Sequence, residues 1–385
     1  MNKKMISIVI LAAGILLLSC CKGGNSQDPA ADIDAFAKEW MKAGKIPGMS
    51  VGVIKNNKVI FLKGYGYADK KTLRPVTPQT TFFIASGAKS FTAMVMGLLV
   101  NEGKLEWDRS IRDYLPGFKM VDGFATQYLS TRDLLCHRIA LPKKDHVWKQ
   151  YIGTQRTRRD FMKEFGNIKP IFSFRENFRY QNLGYILAAH TAETLTGLTY
   201  EEIVRERIFK PLGMNNSLFN IVEMKDKSDF AFPYRREGGN NFKEIPFPET
   251  GIARPANGIY TNAEDLIQWL RLHLTRGRIK GKQFIPEKTI KEMHTIQVTY
   301  RQYPYSPNWI TMGYGLGWII DIYRGHYLLQ HGGGVPGFTS MMAFLPFENV
   351  GVVVLCNTGD TEVPGYLMRN IVDILLNVEP LNLKI

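Results

Sequence analysis

Ser86-Gly87-Ala88-Lys89 sets a hydroxyl and an amine three positions apart. On a helix that spacing puts both on one face, within reach of each other. A lysine partly removed from water loses proton affinity, so it can accept the serine proton and turn the oxygen into a nucleophile. The pattern alone carries little, because a second match, Ser19–Lys22, falls in the apolar N-terminal segment. Context separates the two. Ser86 follows the run TFFIA and opens a strongly apolar helical stretch to Glu102, whose amides and dipole would point at the site. The plainer reading of Ser86 is a helix N-cap.

Two YxN triplets follow, Tyr180-Gln181-Asn182 and Tyr260-Thr261-Asn262. Asn262 reads as the N-cap of a helix from Ala263, with Asp265 in its first turn; Asn182 could cap the helix after it in the same way. Position along the chain is what tells them apart. His331-Gly332-Gly333-Gly334 contains the HxG of this chain, and a lone histidine there reads as a satisfied loop residue. The run lacks a GxSxG partner, HExxH does not occur, and Gly64-Tyr65-Gly66 lacks the third glycine of a dinucleotide loop. No CxxC or Cys/His cluster suggests a metal, and no cofactor is expected. Cys136 and Cys356 sit in apolar surroundings and read as buried thiols; their pairing stays open.

These residues need elements to hold them. Asp32–Gly44 has helical periodicity and a glycine stop, and residues 49–66 read as a hairpin. Residues 105–300 are dominated by helical periodicity. Strand-like runs return in 314–357, and Val363–Leu376 closes as a helix. The terminal strands are expected to pair into one antiparallel sheet, from about 32–85 and 310–378, flanked by helices. A mainly helical region, about 86–309, is inserted between them. The fold class is therefore α/β in the broad sense, α+β in arrangement, with a cleft at the junction.

FIASGAKSFTAMVMGLLVNEGKLEWD, RYQNLGYILA, KPLGMNNSLF, GYGLGW and HGGGVPGFTSMMAFLPFENVGVVVLCN together resemble the serine β-lactamase and penicillin-binding-protein superfamily. The closer likeness is to the class C β-lactamase-related group of D-aminopeptidases, D-Ala-D-Ala carboxypeptidases and family VIII esterases. It spans residues 32–378 and implies one catalytic domain. It implies Ser86 as the acylated nucleophile, Lys89 as its base, Tyr180 as proton shuttle and Asn182 as a partner of Lys89 and the substrate amide. His331, Gly332 and Gly333 fill the third motif, at the end of strand HYLLQ. The backbone N–H groups of Ser86 and Gly334 would form the oxyanion hole. His-Gly-Gly stands where Lys-Thr-Gly is usual, which removes two groups that hold a substrate carboxylate. That favours esters, amides or D-amino-acid peptides, small or peptidoglycan-derived, over β-lactams and C-terminal D-Ala-D-Ala. In Leu134–Pro142, Ile139 and Ala140 replace small Ser and Gly, so that loop is expected to differ; Asn257 likewise stands where Gly is usual.

Residues 1–19 carry Lys3, Lys4 and the uncharged apolar run Met5–Leu18, and end before Cys20. This resembles a bacterial lipoprotein signal, with Cys20 lipidated, residues 20–31 as a flexible tether and the membrane as a partner through the lipid. Lys+Arg 49 against Asp+Glu 35 gives a net charge of +14. The basic clusters are scattered and match no nucleic-acid reader, so the excess suits an anionic surface instead.

Overall fold

A computed structural model describes residues 28–381 apart from Lys144, 227–228, 239–240, 300–305 and Asp360. The signal segment and Cys20 lie outside the described residues. The tether expected to reach residue 31 ends sooner: Asp28 accepts from the Ala30 amide, and helix α1 (Pro29–Ala43) starts there with proline in its first turn.

One nine-stranded sheet organises the chain. Its strands are β1 (Gly48–Lys55), β2 (Lys58–Asp69), β3 (Arg74–Pro75), β4 (Val298–Thr299), β5 (Trp309–Tyr314), β6 (Ile319–Tyr323), β7 (His326–Val335), β8 (Phe338–Leu345) and β9 (Val350–Cys356). They lie in the order β4-β5-β6-β7-β8-β9-β1-β2-β3, with every pairing antiparallel. The pairing of β9 with β1 joins early and late parts of the chain, Met49 opposite Cys356 through Lys55 opposite Val350.

Strand β9, VGVVVLC, is buried at every position. It needs to be apolar throughout because both faces are covered. Val350, Val352, Val354 and Cys356 pack against α1 and helix α7 (Val363–Leu375), while Val353 and Leu355 face the other core. That second face carries α2 (Ala88–Asn101), α4 (Leu183–Thr196) and α6 (Ala263–Leu274). Each buried Val or Leu side chain is worth about 1.5–3 kcal/mol against exposure. Phe91 of α2 stacks on Trp269 of α6, ring centroids 4.0 Å apart, and locks those two helices together.

The region expected to be mainly helical, about 86–309, also holds strand β4, two two-stranded ribbons, 234–238 with 241–244 and 278–279 with 282–283, and the strand 260–261 that pairs with 82–83. Their strands are too short to show a two-residue period. Cys136 and Cys356 are both free thiols and fully buried.

The loop before Tyr180 is held by one carboxylate. Asp133, fully buried, accepts from Arg175 Nε at 2.9 Å and Nη2 at 2.8 Å, from Arg138, and from the Ser130 amide and hydroxyl. Backbone bonds from Arg175 to Arg138 and from Arg179 to His137 then lay the 175–180 segment against 137–138. The Ala140 loop makes a left-handed turn, φ +61°, a conformation in which glycine would be unstrained and alanine is not.

Two stability outcomes follow. Asp133→Ala leaves two arginines without their anion and should cost about 3–5 kcal/mol in denaturant unfolding. Ala140→Gly should instead add about 0.5–1 kcal/mol in the same measurement.

Candidate active site

Ser86 stands in a tight turn, Ala85–Gly87, that runs straight into α2. It does not cap the helix. Ala85 before it is at φ +45°, a strained value for alanine that aims the next residue outward. Lys89, one turn on, is completely buried. Its Nζ lies 3.1 Å from Ser86 Oγ, 2.8 Å from Asn182 Oδ1 and 2.9 Å from the carbonyl of Ala256. The rings of Tyr180 and Tyr185 wall it at 4.8 and 5.4 Å from Nζ.

Burial, above all, pushes the Lys89 pKa well below that of a free lysine; Asp145 raises it and Lys143 lowers it. A neutral amine has two N–H bonds and one lone pair. Asn182 Oδ1 and the Ala256 carbonyl can only accept, so both N–H bonds point to them. In the unprotonated form the lone pair is left facing the Ser86 hydroxyl.

The two YxN triplets now separate on geometry. Asn262 Oδ1 accepts from the Asp265 amide at 2.8 Å, a true N-cap of α6. Asn182 caps nothing, because Gln181 Oε1 takes the Gly184 amide at 2.8 Å in its place. Asn182 is thereby free to reach Lys89. Its Nδ2 donates to Asp145 Oδ1 at 3.0 Å, and Trp148 Nε1 donates to the same oxygen at 3.0 Å. A carboxylate takes only donors, so Asp145 fixes which end of the Asn182 amide faces the lysine.

Asp145 opens helix α3 (Asp145–Lys149) and was not among the residues singled out from sequence. Neither was the Ala256 carbonyl. It belongs to helix α5 (Arg254–Asn257), which Thr92 Oγ1 pins by donating to the Pro255 carbonyl at 2.6 Å. Asn257 beside it keeps a buried Oδ1 without a hydrogen-bond partner among the described residues.

Tyr180 is partly buried beside Ser86. Desolvation raises its pKa above that of free tyrosine, and a hydrogen bond with Ser86 pulls less strongly the other way. The group stays a phenol at neutral pH.

The third motif lies inside β7 rather than at a strand end. His331 is buried, and burial followed by the nearby Lys89 lowers its pKa to about 3, so it is neutral. Its Nδ1 lies 2.7 Å from the Gly332 carbonyl, an acceptor, so Nδ1 carries the proton. Nε2 is then an acceptor for the Tyr314 hydroxyl at 2.9 Å. Both nitrogens are committed, and His331 shapes the wall of the site without offering a charge.

Gly333 is required by contact. A Cβ there would fall 2.1 Å from the Ile84 carbonyl and 2.8 Å from the Ser86 nitrogen. The strand thus presses directly on the nucleophile's main chain. At Gly334 a Cβ would meet nothing within 4 Å. Pairing with β6 ends at Gln330, so the β6-side edge of residues 332–335 is free of strand partners while β8 continues on the other side.

Among the described residues no three His, Cys, Asp or Glu side chains gather to hold a metal ion. No described helix is long and apolar enough to cross a membrane.

The geometry agrees with what the chain resembles. The octameric penicillin-binding protein homologue from Pyrococcus abyssi superposes with TM-score 0.77 at 27% identity, covering 91% of this chain and 78% of that one. EstCE1, described as a hydrolase with promiscuous acyltransferase activity, gives 0.76 at 20% identity over 91% and 98%. A class C β-lactamase gives 0.72 at 20% over 92% and 97%. At that identity these last two establish the fold alone. In sequence, the unguisins hydrolase ungD' of Aspergillus campestris is 27% identical, covering 93% of this chain and 68% of that protein. Protein flp of Staphylococcus aureus strain MW2 is 28% identical over 88% and 65%. The chain spans about two thirds of the length of these relatives. The Beta-lactamase family profile matches residues 33–375, and the chain belongs to the Beta-lactamase family, within the serine β-lactamase and penicillin-binding-protein superfamily.

Proposed function

We propose that the protein is a serine hydrolase that cleaves ester or amide bonds through an acyl-enzyme on Ser86. The observation that carries this is the setting of Lys89 Nζ, held by two obligate acceptors and 3.1 Å from Ser86 Oγ, so that the unprotonated amine directs its lone pair at the serine hydroxyl. Lys89 takes the serine proton as Oγ attacks the carbonyl carbon. The oxyanion that forms is met by the N–H groups of Ser86 and Gly334, donors typically worth about 3–4 kcal/mol of barrier. Tyr180, a phenol at neutral pH, passes its proton to the leaving group and recovers one from the Lys89 ammonium, which is thereby neutral again for the attack of water. Water then releases the acyl group as a carboxylic acid.

The neutral, fully engaged His331 supports esters, amides and D-amino-acid peptides as substrates. It provides no cation for a substrate carboxylate where the family's usual lysine would. The names of one relative, an unguisins hydrolase, and of one structural neighbour, EstCE1, agree with hydrolysis. Attachment to a membrane through lipid on Cys20 is part of the same reading.

A fluorophosphonate probe should label the folded protein at Ser86. Ser86→Ala should lose both the label and at least about a thousand-fold in hydrolysis of p-nitrophenyl esters or D-amino-acid anilides. Equal labelling of the variant would overturn the assignment.

The acid limb of the pH–rate profile reports protonation of Lys89, so activity falls as pH drops through its lowered pKa. Asp145 raises that pKa. Asp145→Asn should therefore move the acid limb of kcat/KM to lower pH, with a lower plateau where the Asn182 amide loses its fixed orientation.

A further inference from the structure

Strand β7 has two faces, and the catalytic residues use one. His331 and Gly333 turn toward Lys89 and Ser86. Gly332 turns the other way, where a Cβ would meet the Met341 side chain, 3.2 Å from its Cε. Met341 packs with the α1 and α7 layer. On this reverse face is a cavity of about 650 Å³, bounded by Gly332–Gly334, by Trp309 and Thr311 of β5, and by the first turns of α7.

Arg369 of α7 lines the cavity and is only 5% exposed. Its Nη1 donates to the Gly365 carbonyl at 2.7 Å, and its guanidinium carbon lies 3.4 Å from the centroid of the Trp309 ring. No carboxylate of the described residues comes within ion-pair distance of it. Asp321 acts on it only at longer range, and Asp321 Oδ2 already accepts from Trp309 Nε1 at 3.1 Å and Gln330 Nε2 at 3.2 Å. Burial also moves Asp321 toward its protonated form. Glu362 stands exposed at the cavity rim.

A buried guanidinium flat on an indole, without a carboxylate, is half of a binding site. We propose that this cavity binds a small monocarboxylate, held by the Arg369 guanidinium against Trp309 and in contact with the reverse of the Gly332–Gly334 strand. One guanidinium matches one negative charge. The exposed Glu362 at the rim disfavours a dianion such as phosphate. Because Gly332 and Gly334 have no side chains, the ligand touches the main chain whose other side abuts Ser86. Occupancy therefore adjusts the oxyanion strand; this consequence for turnover rests on the hydrolase reading, under which each cycle releases a carboxylate.

The test uses the folded chain with propionate and benzoate at constant ionic strength, and propionamide as the neutral control, read by titration calorimetry and thermal unfolding. Saturable binding of the carboxylates but not the amide is expected, equal in wild type and in Ser86→Ala. Binding should weaken at least tenfold in Arg369→Gln and less in Arg369→Lys. Thr361→Trp, which fills the cavity mouth and keeps Arg369, should also abolish it, so the proposal stands or falls even if Arg369→Gln does not fold. Absence of saturable binding would overturn the proposal, as would equal affinity in Thr361→Trp. Loss of binding when Ser86 is covalently labelled, with Arg369→Gln unaffected, would place the carboxylate in the catalytic cleft and overturn it too. None of these arms requires turnover, so the hydrolase reading can fail separately.

Discussion

Taking the Lys89 amine out of water is the costly step around which the site is built. An ammonium ion so enclosed would need a close anion, and none of its direct partners is one. Burial biases the group strongly toward its neutral form, and a neutral amine is useful only if its lone pair has a direction. Direction comes from the two acceptors, and each depends on something further away. Asn182 presents oxygen because Asp145 demands its nitrogen. The Ala256 carbonyl is in place because Thr92 ties α5 to α2. Four separated stretches of chain thus converge on one nitrogen atom.

The sheet sets the opposite wall with less tolerance. Gly333 lets β7 approach the Ile84–Ser86 backbone more closely than any side chain would permit. Ser340 Oγ closes the same seam by donating to the Ile84 carbonyl at 2.9 Å. The nucleophile is consequently positioned by main chain pressed on main chain, with Ala85 holding its strained φ beneath it. Rigid placement of this kind is what preorganised oxyanion stabilisation requires.

Much of this was legible in the residues themselves, and the reasons are specific. The antiparallel sheet shows in β9 and β1 because strands covered on both faces are almost continuously apolar. Ser86 and Lys89 are visible because helical spacing brings side chains together. The choice between Asn182 and Asn262 was harder, since both precede helices; the deciding residue is Gln181, whose side chain takes over the capping bond. Asp145 was hidden in a stretch, KKDHVWK, that reads as solvated surface. The Ala256 carbonyl has no signature, because every residue has a carbonyl. The neutral state of His331 comes first from burial and then from Lys89, 242 positions away, and its tautomer suits the Tyr314 hydroxyl 17 positions away; only the fold assembles these. Short ribbons such as 82–83 with 260–261 escape any periodicity argument.

The pairing of β1 with β9 has a consequence for the order of events during synthesis. Met49 emerges early, yet its partner Cys356 follows about three hundred residues later. Until then β1 has only β2 beside it, and its Val51 and Val53 lack the α7 residues that bury them. A hairpin by itself is marginal in water, and contacts of such sequence separation are slow to form. The sheet cannot close from its N-terminal side as the chain appears. Residues 350–375 therefore act as a keystone, and a chain truncated before β9 would keep the Ser86 and Lys89 pair in its sequence without the strand that completes the sheet.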